Sequence, residues 1–347
     1  MASKPKDKEI RLTLLKLDRH FTLDNIIENL KLDYRKPIGY LTERQNLSSP
    51  EKILNNKWYP ANNAQAFTKK TFNVGDSNIE YVLASGYYEK SASEEQAIVN
   101  GYVLPRERRV FNRTCEAIFF NLNGQVYCVI EVSQSEERNV KSILFGQGRG
   151  INKKEEWGKV EHKDITQFSF DSNIFYWLIS KKGSQFNYEN SDFKFSLTDI
   201  TAISNQTDRL EYDSTNSGSN ILGSSPALTA LGSNHSVYEA GLSFKTPNMT
   251  LLLRLSETST CYVNVDKSFV TLQSGDNVNV KQDLTNVVLS IYTVILLTLK
   301  GAYNSASDKS EKQVTQRRNW ALLVIRTLCE ENEIPLNEIK KLLDDES

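Results

Sequence analysis

The chain has 347 residues, of which 24% are charged and 39% hydrophobic, and its formal net charge is −1. That length suits about two domains of about 150 residues, each able to bury a core. The near-neutral balance excludes a global field that would draw the chain to nucleic acid or to an anionic membrane, so either partner would have to be met by a local patch. The first ten residues, MASKPKDKEI, lack the apolar stretch of a secretory signal. The longest apolar run, residues 287–299, is shorter than the roughly 20 residues a bilayer span needs. Cys115, Cys128, Cys261 and Cys329 form no C-x-x-C pair and read as reduced thiols, although Cys115 and Cys128 flank one turn and could approach across it. The expected home is the cytoplasm, with no membrane association.

Residues 9–17, EIRLTLLKL, alternate as a half-buried strand does. Thr22 is an expected N-cap for a short helix over 23–31. Residues 33–71 carry Pro37, Pro50 and Pro60 and read as a polar loop pinned by Trp58 and Tyr59. Residues 79–88 read as a strand with aromatic edges. The most informative stretch is 115–132, CEAIFFNLNGQVYCVIEV, in which two alternating apolar runs flank Asn123-Gly124, a strong hairpin signal. A charged turn is expected at 135–139, a short apolar run at 140–145 and a Gly-rich loop at 146–150. Residues 168–180 are expected to hold an aromatic strand, IFYWLIS, followed by another strand at 193–197.

Residues 205–236 are rich in Ser, Asn, Thr and Gly and read as a linker, because such composition buries little apolar surface. Strands are expected again at 241–244, 250–255 and 261–272, with a turn near Asp266-Lys267. The period then changes. Leu284, Val287, Val288, Ile291, Val294, Ile295 and Leu299 follow helical spacing, and apolar residues also lie off that stripe, so this helix is expected to be buried nearly all round, with Gly301 as its stop. Two amphipathic helices follow, over 314–331 and 336–343. They read better as an αα-hairpin packing on the core or on another subunit than as a DNA-reading helix-turn-helix. The expected fold is α+β: an antiparallel β-rich domain over 1–204, a linker over 205–236, and strands with a buried helix and a helical tail over 237–347.

No catalytic, metal or cofactor motif is present. Gly146–Gly150 with Lys153-Lys154 could offer backbone N–H groups to a phosphate, but the chain has neither a P-loop nor a dinucleotide fingerprint. Glu131 stands at a strand end, where a metal-dependent phosphodiesterase would place a carboxylate, but Ser133 occupies the position of the expected lysine. Glu161-His162-Lys163 has the E-x-K letters in a polar loop. The three histidines, His20, His162 and His235, are far apart in sequence. The clearest functional signal is cationic. Arg106, Arg108, Arg109 and Arg113 precede the hairpin, while Arg149, Lys153, Lys154 and Lys159 follow it. Gathered on one side of the sheet, they would hold phosphates, with Trp157 placed to stack on a base. Glu107, Glu155, Glu156 and Glu161 weaken that field.

The run QFSFDSNIFYWLISKKGS, with a short strand, an aromatic strand and Lys181-Lys182, resembles in its rhythm the DNA-sensing subunits of bacterial phage-defence systems. The Asn- and Lys-rich, Met-poor composition fits an AT-rich bacterial genome. The resemblance implies DNA as partner and a place in an antiviral or mobile-element system. The expected function is therefore a non-enzymatic, nucleic-acid-binding protein. A divergent metal-dependent phosphodiesterase using Glu131 is one alternative. A structural subunit that self-associates, or binds a protein partner, through its C-terminal helices is the other.

Overall fold

The structure is a computed structural model and describes residues 8–75, 77–147, 155–162, 165–188, 193–207, 213–258, 260–307 and 309–344. The chain divides into two compact units, one of Ile10–Ile165 and one of Met1–Glu9 with Thr166–Ser347. Strands pair antiparallel among the described residues, and helices lie between them and in a C-terminal run, so the fold class is α+β, as expected.

The N-terminal unit runs β1 (Glu9–Lys16), α1 (Leu23–Leu30), β2 (Asp33–Pro37), β3 (Ile53–Pro60), β4 (Lys70–Val74), β5 (Ser77–Ser91), α2 (Glu94–Ala97), β6 (Ile98–Val99), β7 (Tyr102–Val103), α3 (Arg106–Arg109), β8 (Val110–Leu122), β9 (Gln125–Glu131) and α4 (Gln134–Ile143). Its sheet has the order β1-β9-β8-β5-β3-β2, with β4 also on β5, and β6-β7 form a separate hairpin. The β8-β9 hairpin turns at Asn123 (φ 52°) and Gly124 (φ 79°), the two positive φ values that a tight hairpin turn favours. Thr22 caps α1 in a capping box with Asn25. Hairpin register sets Cys128 opposite Phe119, so Cys115 and Cys128 do not face each other, and all four cysteines are free. The 33–71 segment is not a loop: it holds β2 and β3, where Leu54, Asn56 and Trp58 turn inward and Asn55, Lys57 and Tyr59 turn outward. The charged turn expected at 135–139 is instead the body of α4.

One sheet face carries the core. Trp58, Phe119, Phe145 and Trp157 form an aromatic cluster with ring centroids 4.9–6.4 Å apart. The other face changes along the strand order. It is apolar and buried at Leu12, Leu14, Val129 and Phe120 on β1, β9 and β8, and polar toward β3 and β2.

The C-terminal unit runs α5 (Ser172–Ser180), β10 (Gln185–Asn187), β11 (Lys194–Gln206), β12 (Asp213–Ser217), α6 (Ser225–Gly232), β13 (Ser236–Lys245), β14 (Met249–Ser256), β15 (Thr260–Asn264), β16 (Phe269–Thr271), β17 (Asn277–Asn279), α7 (Leu284–Leu289), a π-helical turn (Ser290–Ile295), α8 (Leu296–Ser305), α9 (Lys309–Glu331) and α10 (Leu336–Asp344). Its strands are ordered β10-β11-β13-β14-β15, with β12 on β11 and β16 on β14. The expected turn at Asp266-Lys267 forms: Asn264 Oδ1 accepts both backbone N–H groups, at 3.1 and 2.9 Å.

Three sequence expectations are corrected here. The run expected as an aromatic strand is helix α5, capped by Asp171, whose Oδ1 accepts the Ile174 N–H at 2.9 Å. Residues Ile174 to Ile179 are all buried, so no polar positions reveal the helical period. The boundary between units falls at residue 165, not within 205–236. That stretch holds the end of β11, β12, α6 and the start of β13: Ile221, Ala227, Leu228, Ala230 and Leu231 are buried, and small polar side chains bond across strands, as Ser214 Oγ does to Asn205 Oδ1 at 2.8 Å. Gly301 does not stop its helix, which continues to Ser305. The helical stretch Val280–Ser305 is long and apolar enough to cross a membrane, but 67% of its most apolar window is buried, the pattern of a core helix.

Candidate functional site

The arginine-rich segment ahead of the hairpin is held by carboxylates from distant strands. Arg106–Arg109 form the single turn α3 behind Pro105. Arg106 Nη2 donates to Glu89 Oε2 at 2.6 Å, and its Nη1 donates to the Pro50 carbonyl at 3.1 Å. Arg109 is fully buried, with Nε on the Leu104 carbonyl at 2.9 Å and Nη2 paired with Glu51. Arg108 and Arg113 are exposed, and Arg113 donates to the Asn112 carbonyl. Lys159 lies beside β1, where Glu161 takes its Nζ at 2.8 Å and that of Lys16 at 3.1 Å. The hydrogen bond from Lys159 holds Glu161 below the ordinary carboxylate range. In the sheet order β9, β8 and β5 separate β1 from β3, where the Arg106 network sits. Arg149, Lys153 and Lys154 lie outside the described residues. The described members of the expected patch therefore do not assemble into one surface.

Trp157 is no stacking residue either. It is fully buried, and its indole N–H donates to the Tyr34 hydroxyl at 2.8 Å. Burial, with the Trp157 hydrogen bond opposing it, pushes Tyr34 up to about 12.

The polar part of the sheet offers a different arrangement. A hollow of about 320 Å³ lies on β2, β3 and β5, lined by Asp33, Arg35, Asn55, Lys57, Tyr59 and Tyr87 among others. Cross-strand register builds it: Asp33 stands opposite Lys57, Arg35 opposite Asn55, and Lys57 opposite Tyr87. The Tyr59 ring is 41% exposed and meets Tyr87 edge-on, with centroids 6.3 Å apart. Lys57 Nζ lies 4.4 Å from the Tyr59 ring centroid, a cation–π distance. Beneath them Glu89, nearly buried, takes the Tyr87 hydroxyl at 3.1 Å, the Asn55 backbone N–H at 2.6 Å and Arg106. Burial first, then the Glu89 charge, raises the Tyr87 pKa and keeps that phenol a donor. Arg106, one of the residues expected from the sequence, is thus a support of this hollow. Tyr59, Lys57 and Arg35 were missed because 33–71 read as a loop, whereas Tyr87 lies in the strand expected over 79–88. The alternation in NNKWY was the available signal.

A larger hollow of about 550 Å³ lies in the C-terminal unit, but its charges are closed on each other. Arg254 donates to Glu9 at 2.6 Å and Glu239 at 2.7 Å with its guanidinium over Tyr262, and Asp199 pairs with Lys182. Among the described residues no three of His, Cys, Asp and Glu group as metal ligands would. Glu131 and Glu116 are register partners on β9 and β8, two carboxylates side by side.

No family model and no curated protein matches this chain.

Proposed function

We propose that this is a non-catalytic, nucleic-acid-binding protein of the bacterial cytoplasm, and that the polar half of its N-terminal sheet holds single-stranded DNA. The observation that carries the reading is Tyr59: an exposed ring on an antiparallel surface, with Lys57 above it and Arg35 two residues along the edge strand from Lys57's partner Asp33. A base stacks on an aromatic face whatever its identity, and lysine and arginine meet the phosphates beside it. Asp33 tempers the field, which suits modest affinity with a clear salt dependence. The buried free thiols Cys115, Cys128 and Cys261 are consistent with a reducing compartment. A role in phage defence or mobile-element biology is the context this binding would serve.

The test is a fluorescence-anisotropy titration of labelled oligo(dT) at low and moderate salt. Affinity falls as salt rises, and Tyr59→Ala weakens it by about 1–3 kcal/mol, the worth of one stacked base. Lys57→Glu weakens it further and flattens the salt dependence. Absence of binding at low salt, or affinity unchanged in the Tyr59→Ala/Lys57→Glu double variant, rejects the proposal.

A second reading, a divergent phosphodiesterase, draws on the Glu116–Glu131 pairing. Magnesium- or manganese-dependent cleavage lost in Glu131→Gln, with the fold retained, would select it.

A further inference from the structure

We propose that the chain dimerises by antiparallel pairing of α9 with α9 of a second copy. Helix α9 rests on its own unit by one side only. Trp320 and Val324 are buried, Trp320 packs 6.0 Å from the Tyr176 ring, and Ala321 lies against Gly232 of α6 so closely that a Cβ on Gly232 would stand 3.0 Å from the Ala321 Cα. Gln313 Nε2 donates to the Asn173 carbonyl at 2.8 Å.

The flank next to that contact carries Val314, Arg318, Leu322, Ile325 and Cys329, which recur at intervals of four, four, three and four and so lie along one stripe. Val314 is 56% exposed, Leu322 53% and Ile325 47%. An apolar stripe of this length on a water-facing helix is a surface that another helix covers.

The distribution of charge says which helix. Residues 309–318 carry four cations and one anion, 319–325 carry none, and 326–333 carry three anions and one cation. That order opposes the helix macrodipole, which favours acids at the N-terminus and bases at the C-terminus, and the last turn holds no basic residue. Apart from the exposed Arg326–Glu330 pair at 2.7 Å, the arrangement does not serve the isolated helix. An antiparallel copy of the same helix reverses the account. With Leu322 set against Ile325 of the other copy, the basic half of each helix lies along the acidic end of its mate, and the uncharged centre meets itself. The contact is isologous, so it closes at two chains.

The test uses the full chain in sedimentation velocity. Near 100 µM, above the micromolar range in which modest interfaces associate, the mass is twice 39.5 kDa. Leu322→Glu/Ile325→Glu sediments as monomer with an unchanged near-UV spectrum. Lys312→Glu/Arg318→Glu and Glu330→Lys/Glu333→Lys each weaken self-association about tenfold or more, and an equimolar mixture of the two restores the dimer. The mixture separates pairing from any loss of fold. A monomeric wild type at the highest concentration overturns the proposal, including a monomer that instead binds anionic vesicles or a different protein through this stripe. A dimer that survives Leu322→Glu/Ile325→Glu, or a mixture that stays monomeric, overturns it too.

Discussion

Gly86→Ala is the sharpest stability experiment the fold offers. Gly86 lies mid-way along β5, opposite Trp58 on β3 and Cys115 on β8, on the face that carries the aromatic core. A Cβ there would stand 2.5 Å from Leu144 Cδ1, 2.9 Å from Cys115 Sγ and 2.9 Å from Trp58 Cζ3. The three atoms belong to three different segments, and all three side chains are buried, so none can swing into solvent. Forcing one methyl into a filled core costs about 1–3 kcal/mol, and three simultaneous clashes argue for the upper end. Loss of glycine's freedom in the unfolded chain returns about 0.4–1 kcal/mol. The net expectation is destabilisation of about 2 kcal/mol, or about 4–8 °C in Tm for a unit of this size. Gly39→Ala is the control, because nothing lies within 4 Å of the added methyl, and it should stay within about 0.5 kcal/mol of wild type. Urea unfolding followed by tryptophan fluorescence reads both, since Trp58 and Trp157 sit in this core. If Gly86→Ala unfolds at the same urea concentration as Gly39→Ala, the packing argument fails.

Arg109→Met removes a fully buried cation from Glu51 and the Leu104 carbonyl. It should cost about 1–3 kcal/mol in the same urea titration, the worth of the lost hydrogen bonds, and leave oligo(dT) affinity at wild-type level in a folded sample. Trp157→Phe deprives the Tyr34 hydroxyl of its 2.8 Å donor, and the lost hydrogen bond alone should lower stability by about 1–2 kcal/mol, read by calorimetry. For Glu137, burial pushes the carboxyl up, but hydrogen bonds from Lys141 and Arg11 outweigh it and leave the pKa below the ordinary 4.5. A depressed carboxyl pKa stabilises the fold above 4.5 and loses that contribution as pH falls through the folded value. Thermal melts from pH 6 to pH 3 should therefore show wild type losing more stability than Glu137→Gln over the acid end.

Local chemistry explains what the sequence revealed. The Asn123-Gly124 turn, the Thr22 cap and the switch to helical period after Leu284 each depend on neighbours within a few residues, and each stands as expected. Residues 174–179 defeated the same reasoning because every position is buried, and a helix apolar all round shows no period. The pairing of Arg106 and Arg109 was hidden for a different reason. Glu51 and Glu89, which neutralise Arg109 and Arg106, lie 58 and 17 residues from their partners, so only the folded sheet brings them together. The Tyr59 platform was readable in principle, since Lys57 and Tyr59 alternate with buried Asn56 and Trp58. Three prolines around it argued for a loop and outweighed that short pattern.

The route of the chain has a consequence for how the molecule is made. Lys8 belongs with residues more than 250 positions later: its N–H donates to Asp266 at 3.0 Å, and its carbonyl accepts the Val265 N–H at 2.8 Å. Everything from Ile10 to Ile165 is thus an insertion between two parts of one domain. On the ribosome the inserted domain has all its residues in hand first and can complete itself while the outer domain still waits for β14 and β15 to emerge. A truncation that removes the first nine residues would accordingly injure the domain that is synthesised last, and spare the one that begins next to the cut.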